Sequence, residues 1–264
     1  MRNSLSSTTL RHARYVHREM LANGIYLAKL RLVEPFESYP SPAQFVMVWV
    51  PGVKEMPMSI SHYSCDGELT IVFRVRGVGT QKLASIGIGS VLGIRGPLGK
   101  GIAIRPEWKR VAILAGGIGI APTPLLVSAL TVHGCETHLF WGAKTRSELF
   151  DLDKIFVDKP DRIEISTDDG SYGFRGTVLE LFKSVANVHS YDAVIAIGPN
   201  PMLRAVCEDM ELKRIDPMVV METIVKCGRG ICGSCYIRGS TKLLCIDGPA
   251  FRCSEVMHHL RSLD

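Results

Sequence analysis

The pattern of apolar and polar positions divides the chain into two regimes. From about residue 10 to 103 the apolar residues gather in short stretches, GIYLAKLRL, QFVMVWV, LTIVFRV and SVLGIRGPLG, separated by proline, glycine and charged turns. Short runs so punctuated predict six or so strands and a small closed β-barrel, all-β throughout. After Pro106 the pattern alternates. KRVAILAGG is an apolar strand running into glycines, followed by the helix-like APTPLLVSALTVHG; THLFWGA, RIEISTDD and DAVIAIGP read as further strands, with TVLELFKSVA and PNPMLRAVCEDM as intervening helices. Strands alternating with helices predict a parallel sheet of βαβ units. Composition changes near Arg105 and Pro106 and again at LKRIDP, so domains are expected over 1–104, 105–212 and 213–264.

Composition narrows the class. The 264 residues, 46% of them hydrophobic, suffice for real cores without disulfide staples. No run of about 18 apolar residues occurs, which argues against a signal peptide or membrane span. The net charge of +5 is spread along the chain and reads as solvated surface, not a nucleic-acid footprint. Eight cysteines are present; four lie between 227 and 245, and Cys65, Cys135, Cys207 and Cys253 are scattered. Scattered cysteines point to a reducing compartment, the cytoplasm, with Cys253 a small buried bystander. No histidine is placed as catalytic, and His258-His259 reads as a solvated pair. Asp168 and Asp169, before Gly170, read as turn residues.

The most specific chemistry lies in METIVKCGRGICGSCYIRGSTKLLCIDGPAFRC, residues 221–253. Cys227, Cys232, Cys235 and Cys245 give C-x4-C-x2-C-x9-C, close to the plant-type [2Fe-2S] spacing in which one tight loop supplies three thiolates. Gly228, Gly230 and Gly233 allow such a loop to bring amides toward the sulfurs. Zinc also takes four cysteines, but structural zinc sites usually pair two C-x2–4-C knuckles, and here only one C-x2-C exists. Zinc, and free thiols or disulfides, remain the alternatives.

Two glycine-bearing turns follow predicted strands. Gly116, Gly117 and Gly119, in AGGIGIAP, sit where an open α/β sheet binds ligands; amides at the helix start can hold a phosphate, and Pro122 suits the first helical turn. Gly198 and Pro199, in IGPNPM, can wall the same pocket. In the predicted barrel, Met56-Pro57-Met58-Ser59 and Arg74 to Thr80 are candidate flavin contacts. Gly79 and Thr80 offer donors to a pyrophosphate, and Arg74 offers a guanidinium fork.

The order of β-barrel, α/β domain and C-terminal cysteine loop resembles the ferredoxin-NADP-reductase superfamily. Within it the chain is similar to the electron-transfer subunits of class 1B dihydroorotate dehydrogenase, over about residues 10 to 253. The resemblance is carried by the cysteine motif and CIDGPAF, and by Gly96-Pro97-Leu98-Gly99, GGIGIAP and Thr167-Asp168-Asp169-Gly170-Ser171. It implies FAD held by Met56 to Ser59, Val72-Phe73-Arg74 and Gly79-Thr80. A nicotinamide nucleotide, NAD or NADP, would lie against Gly116 to Gly119 and Gly198-Pro199. The cluster would exchange electrons with FMN in a separate catalytic subunit, in a heterotetramer. Two positions depart from the family: Met56 replaces an arginine, leaving Arg74 or Arg76 to compensate, and Ile197 replaces a cysteine. Lys144 and Arg146 could pair with a 2′-phosphate. A ferredoxin:NADP transhydrogenase, hydrogenase or glutamate synthase subunit would share nearly every motif, and a zinc-stabilised nucleotide-binding protein is the non-enzymatic alternative.

Overall fold

The computed structural model describes residues 9–263. The N-terminal half forms one antiparallel sheet of seven strands: β1 (Arg11–Ala22), β2 (Ile25–Leu32), β3 (Phe45–Trp49), β4 (Glu55–Ser59), β5 (His62–Tyr63), β6 (Glu68–Arg74) and β7 (Val91–Leu98), in the spatial order β4-β3-β7-β1-β2-β6-β5. The edge strands β4 and β5 are consecutive in the chain and separated by only Ile60 and Ser61, so the sheet must curl until its ends meet. Asn23 and Gly24, the latter at φ +71°, make the two-residue turn between β1 and β2. Inward side chains of β1, Ala13 and Tyr15, are fully buried, although the strand's many charges hide it from the apolar pattern.

The all-β reading of this half misses one element. Helix α1 (Val78–Ser85) begins in the segment expected to touch flavin, so Gly79 and Thr80 lie in its first turn. Eight residues burying only Gly79 and Leu83 carry too little amphipathic signal to stand out from a turn.

The second half is a seven-stranded sheet in the order β11-β10-β9-β8-β12-β13-β14. Its strands are β8 (Arg110–Gly116), β9 (Glu136–Ala143), β10 (Arg162–Thr167), β11 (Phe174–Arg175), β12 (Ala193–Ile197), β13 (Met218–Val220) and β14 (Ala250–Arg252); the helices are α2 (Thr123–Val132), α3 (Val178–Val185), α4 (Asn200–Glu208), α5 (Leu244–Asp247) and α6 (Cys253–Arg261). Every pair is parallel except β13 with β14. The sheet is therefore mixed at one edge, because the chain returns from the cysteine loop against β13 without a crossover helix. β8 and β12 are buried along almost their whole length, as central parallel strands must be.

One pairing departs from the sequence reading. Cys207 and Cys253, expected to be unpaired, form a disulfide with Cα atoms 5.3 Å apart. They are 46 residues apart in sequence, and only the packing of α4 against α6 brings them together. His259 is also not solvated: it is 3% exposed, and its Nδ1 accepts the Arg238 N–H at 2.8 Å. No helix among the described residues is long and apolar enough to cross a membrane.

Candidate functional site

The site follows from strand order. β8 connects outward to β9 on one side while β12 lies on its other side, so the loops leaving β8 and β12 part at a topological switch point, where open α/β sheets bind ligands. Both glycine turns are brought together there. Gly119 and Gly198 serve loop-to-loop packing: a Cβ on Gly119 would collide with the Ile197 carbonyl, and one on Gly198 would meet Met202 Sδ at 2.8 Å and the Gly116 Cα at 3.2 Å. Gly117, at φ +54°, has nothing within 4 Å of the place a Cβ would take and is the glycine open to a ligand. Gly117–Ile120 form a short 3-10 turn, and α2 starts only at Thr123, with Pro122 as its N-cap and Pro124 in its first turn.

A cavity of about 700 Å³ opens over these loops, lined by Gly116 to Gly119, Gly198 and Pro199 and also by Lys144, Glu148 and Asp168. Arg146, a candidate phosphate partner, instead lies over the Tyr172 ring at 5.6 Å. Asp169 is a turn residue, accepting the Ser171 N–H at 2.9 Å and hydroxyl at 2.6 Å.

A second cavity, of about 250 Å³, lies between the two sheets. Pro57, Met58, Ser59, Val72, Phe73, Arg74 and Thr80 line it, so most of the segments singled out for flavin converge. Met56 does not reach it. Its side chain points into the barrel core, 7% exposed, and its sulfur occupies the space where a Cβ on Gly79 would stand. Thr80 Oγ1 accepts the Arg76 and Gly77 N–H groups at 2.9 and 3.1 Å and donates to the Gly77 carbonyl at 2.9 Å, so the hydroxyl caps its own helix. Arg74 donates to Glu148 at 2.8 Å. That bond is the main reason the Glu148 carboxyl is held below its usual range.

The two cavities share Arg74, Arg76, Ile118, Gly119 and Glu222. The sequence did not single out Glu222. Its place next to the cysteine loop, between the pockets, depends on β13 joining the sheet. At its other end the smaller cavity is bounded by Val225, Leu244 and Pro249, which flank Cys227 and Cys245.

The cysteines pair in space. The Cys232 N–H points at Cys227 Sγ at 3.5 Å, and the Arg229 N–H at 3.4 Å. Cys245 lies beside Cys235, both almost fully buried. Burial first, then Cys235, pushes the Cys245 thiol up to about 12, whereas hydrogen bonds from Ser234 and Cys227 pull the exposed Cys232 down to about 6. Among the described residues no three His, Cys, Asp or Glu side chains converge as the ligands of one ion would. Two pairs suit two irons with two thiolates each. Gly228, Gly230 and Gly233 all have positive φ, from 64 to 73°, which turns the loop tightly. A Cβ on Gly228 would meet Leu98 Cδ1 at 2.9 Å, so the loop rests directly on the barrel. Gly99 seats the other end: Lys100 N–H donates to the Gly248 carbonyl at 2.6 Å.

The family model described as the iron-sulfur cluster binding domain of dihydroorotate dehydrogenase B matches residues 222–257. The chain is 38% identical over 212 residues to a protein of Methanocaldococcus jannaschii named as a probable dihydroorotate dehydrogenase B (NAD(+)) electron transfer subunit, covering 80% of this chain and 78% of that one. The chain belongs to the dihydroorotate dehydrogenase B electron-transfer subunit family. A Clostridium acetobutylicum member of the same name is 33% identical over 239 residues, 89% of this chain and 92% of its own. Among solved structures, a chain from the NADH-dependent reduced ferredoxin-NADP oxidoreductase superposes with a TM-score of 0.82 at 25% identity, covering 95% of this chain and 93% of that one. Phthalate dioxygenase reductase, at 17% identity and a TM-score of 0.61 over 75% of this chain and 63% of its own, shares the fold. The fold is thus ferredoxin-reductase-like, with a C-terminal iron–sulfur binding domain.

Proposed function

We propose that this chain relays electrons between a nicotinamide nucleotide and an FMN-bearing dihydroorotate dehydrogenase catalytic subunit, through FAD and a [2Fe-2S] cluster. The observation that carries this reading is the adjacency of the two cavities: one wall, at Arg74 and Gly119, belongs to both, and the smaller cavity is also lined by residues close to Cys227 and Cys245. A nicotinamide exchanges two electrons as hydride and a cluster one, and a flavin between them supplies the conversion.

The residues fit each group. The two thiol pairs and the amides of Arg229 and Cys232 suit a cluster bound by Cys227, Cys232, Cys235 and Cys245. Val72, Phe73 and Pro57 give an apolar slot for a flat ring, while Arg74, Arg76 and the first turn of α1 give cation and amides for a pyrophosphate. Gly117, Gly198 and Pro199 border the nucleotide. Glu148 and Asp168 put carboxylates in that cavity beside Lys144. Carboxylates accept from ribose hydroxyls and repel a 2′-phosphate, which favours NAD. The functional division is 1–104 for FAD, 105–212 for NAD and 213–264 for the cluster.

Ile224, Ile231, Tyr236 and Ile246 are 47 to 79% exposed around the cysteine loop. Such an apolar rim suits a partner docked over residues 221–253, in a heterotetramer of two subunit types. The free thiol Cys65, exposed and outside the cluster motif, suits the cytoplasm.

The test is the purified chain's colour and content. The reading requires a brown-yellow protein with FAD and two irons and two sulfides per chain, flavin bleaching on addition of NADH, and loss of iron in Cys232→Ser. A colourless zinc protein would overturn it. Co-purification with an FMN protein that oxidises dihydroorotate tests the partner. A ferredoxin-linked partner would instead favour a subunit of a ferredoxin:NADP transhydrogenase, the alternative that the structural likeness to the ferredoxin-NADP oxidoreductase supports.

A further inference from the structure

Arg95 lies in β7 beneath the cysteine loop, its side chain 6% exposed. Nε and Nη2 donate to the two carboxylate oxygens of Glu55 at 2.7 and 2.6 Å, and Nη2 also donates to the Cys227 carbonyl at 3.1 Å. Nη1 is buried without a partner. A buried cation is expensive to keep, and one donor to one loop carbonyl does not require it, because a neutral amide donates as well. The charge itself therefore wants an explanation.

The arrangement is asymmetric. Glu55, at 27% exposed, meets solvent that screens it, whereas the guanidinium faces the loop from a dry position. The carbonyl that Nη2 reaches belongs to the same residue whose sulfur is assigned to the cluster, so the cation is fixed one residue's breadth from that ligand.

We propose that Arg95 is a positioning residue that sets the reduction potential of the cluster bound by the cysteine loop, by holding a buried cation against the Cys227 backbone. The proposal rests on the cluster assignment made above. One-electron reduction adds one negative charge and breaks no bond; a fixed cation stabilises that state and raises the potential. Glu55 partly offsets the cation, so the two residues tune in opposite directions.

The experiment uses the full chain and three variants, Arg95→Gln, Arg95→Lys and Glu55→Gln. Iron and sulfide are counted first, and the cluster is then titrated spectroelectrochemically. Arg95→Gln should shift the one-electron equilibrium at least tenfold toward the oxidised cluster, about 59 mV. Arg95→Lys should stay within threefold of the parent, and Glu55→Gln should shift the opposite way. A merely structural anchor would lower metal content in the variants without opposed shifts. Fully loaded Arg95→Gln within threefold of the parent overturns the proposal. Should Arg95→Gln not load, Glu55→Gln decides, and an unmoved or lowered potential there overturns it. Absence of iron and sulfide from the parent chain would instead remove the cluster reading, and this proposal with it.

Discussion

Arg74 at the end of β6 donates to Glu148, beyond β9, at 2.8 Å, and so joins the two sheets at the wall shared by both cavities. The same guanidinium is the candidate partner of the FAD pyrophosphate in place of the arginine that Met56 replaces. Charge-assisted hydrogen bonds contribute about 1.5–3 kcal/mol each, so Arg74→Ala should weaken FAD binding at least tenfold. Glu148→Gln should leave FAD affinity unchanged or tighter. Fluorescence titration of the flavin-free chain measures both; equal losses would mean that Arg74 serves only the sheet-to-sheet contact.

Glu148 also gives the acid limb a definite sign. Its carboxyl is held down by the Arg74 hydrogen bond, so its contribution to stability is complete above the unfolded value of about 4.5 and fades as pH falls through the lower folded value. Urea midpoints measured from pH 7 to pH 3 should fall less steeply in Glu148→Gln than in the parent.

Met56 and Gly79 are matched in volume. Gly79→Ala places a methyl group where the Met56 sulfur lies, and overpacking of this kind costs about 1–3 kcal/mol. Met56→Ala leaves a cavity and costs about 2–5 kcal/mol. The double variant should be more stable than the sum of the single losses, and a double-mutant cycle in urea measures the coupling. Additive losses would place the two side chains apart.

The Cys207–Cys253 disulfide should lower the intact mass of the unreduced chain by two hydrogens and leave a matching pair of cysteines unlabelled by iodoacetamide after denaturation. Closing a loop of this length contributes about 2–4 kcal/mol, so Cys207→Ser should lower the urea midpoint accordingly. Full labelling of both cysteines in the unreduced chain would show that they are free thiols in solution.

The four cysteines of the loop, the two glycine turns after β8 and β12, and the change from barrel to α/β pattern at Pro106 were legible in the chain. Each depends on neighbours only a few residues away: a ligand spacing, a turn, a run of apolar residues. Helix α1 was not legible, being a short helix with two buried positions. Nor was β1, whose inward Ala13 and Tyr15 are separated by charges. The pairing of Cys207 with Cys253, the burial of His259 and the place of Glu222 depend on α4, α6 and β13 packing together from distant parts of the chain.

Local spacing determined what chemistry the polypeptide carries: four thiolates with cluster spacing, glycine turns for nucleotide, a barrel that can seat a flavin. The tertiary structure decided how these are joined. Only the assembled sheets put Arg74 opposite Glu148, sent Met56 inward against Gly79 instead of toward the cavity between the sheets, and set Arg95 beneath Cys227. Contacts across 74, 23 and 132 residues leave no periodic trace in a sequence, because they are selected by the order in which strands pair and not by the residues beside them.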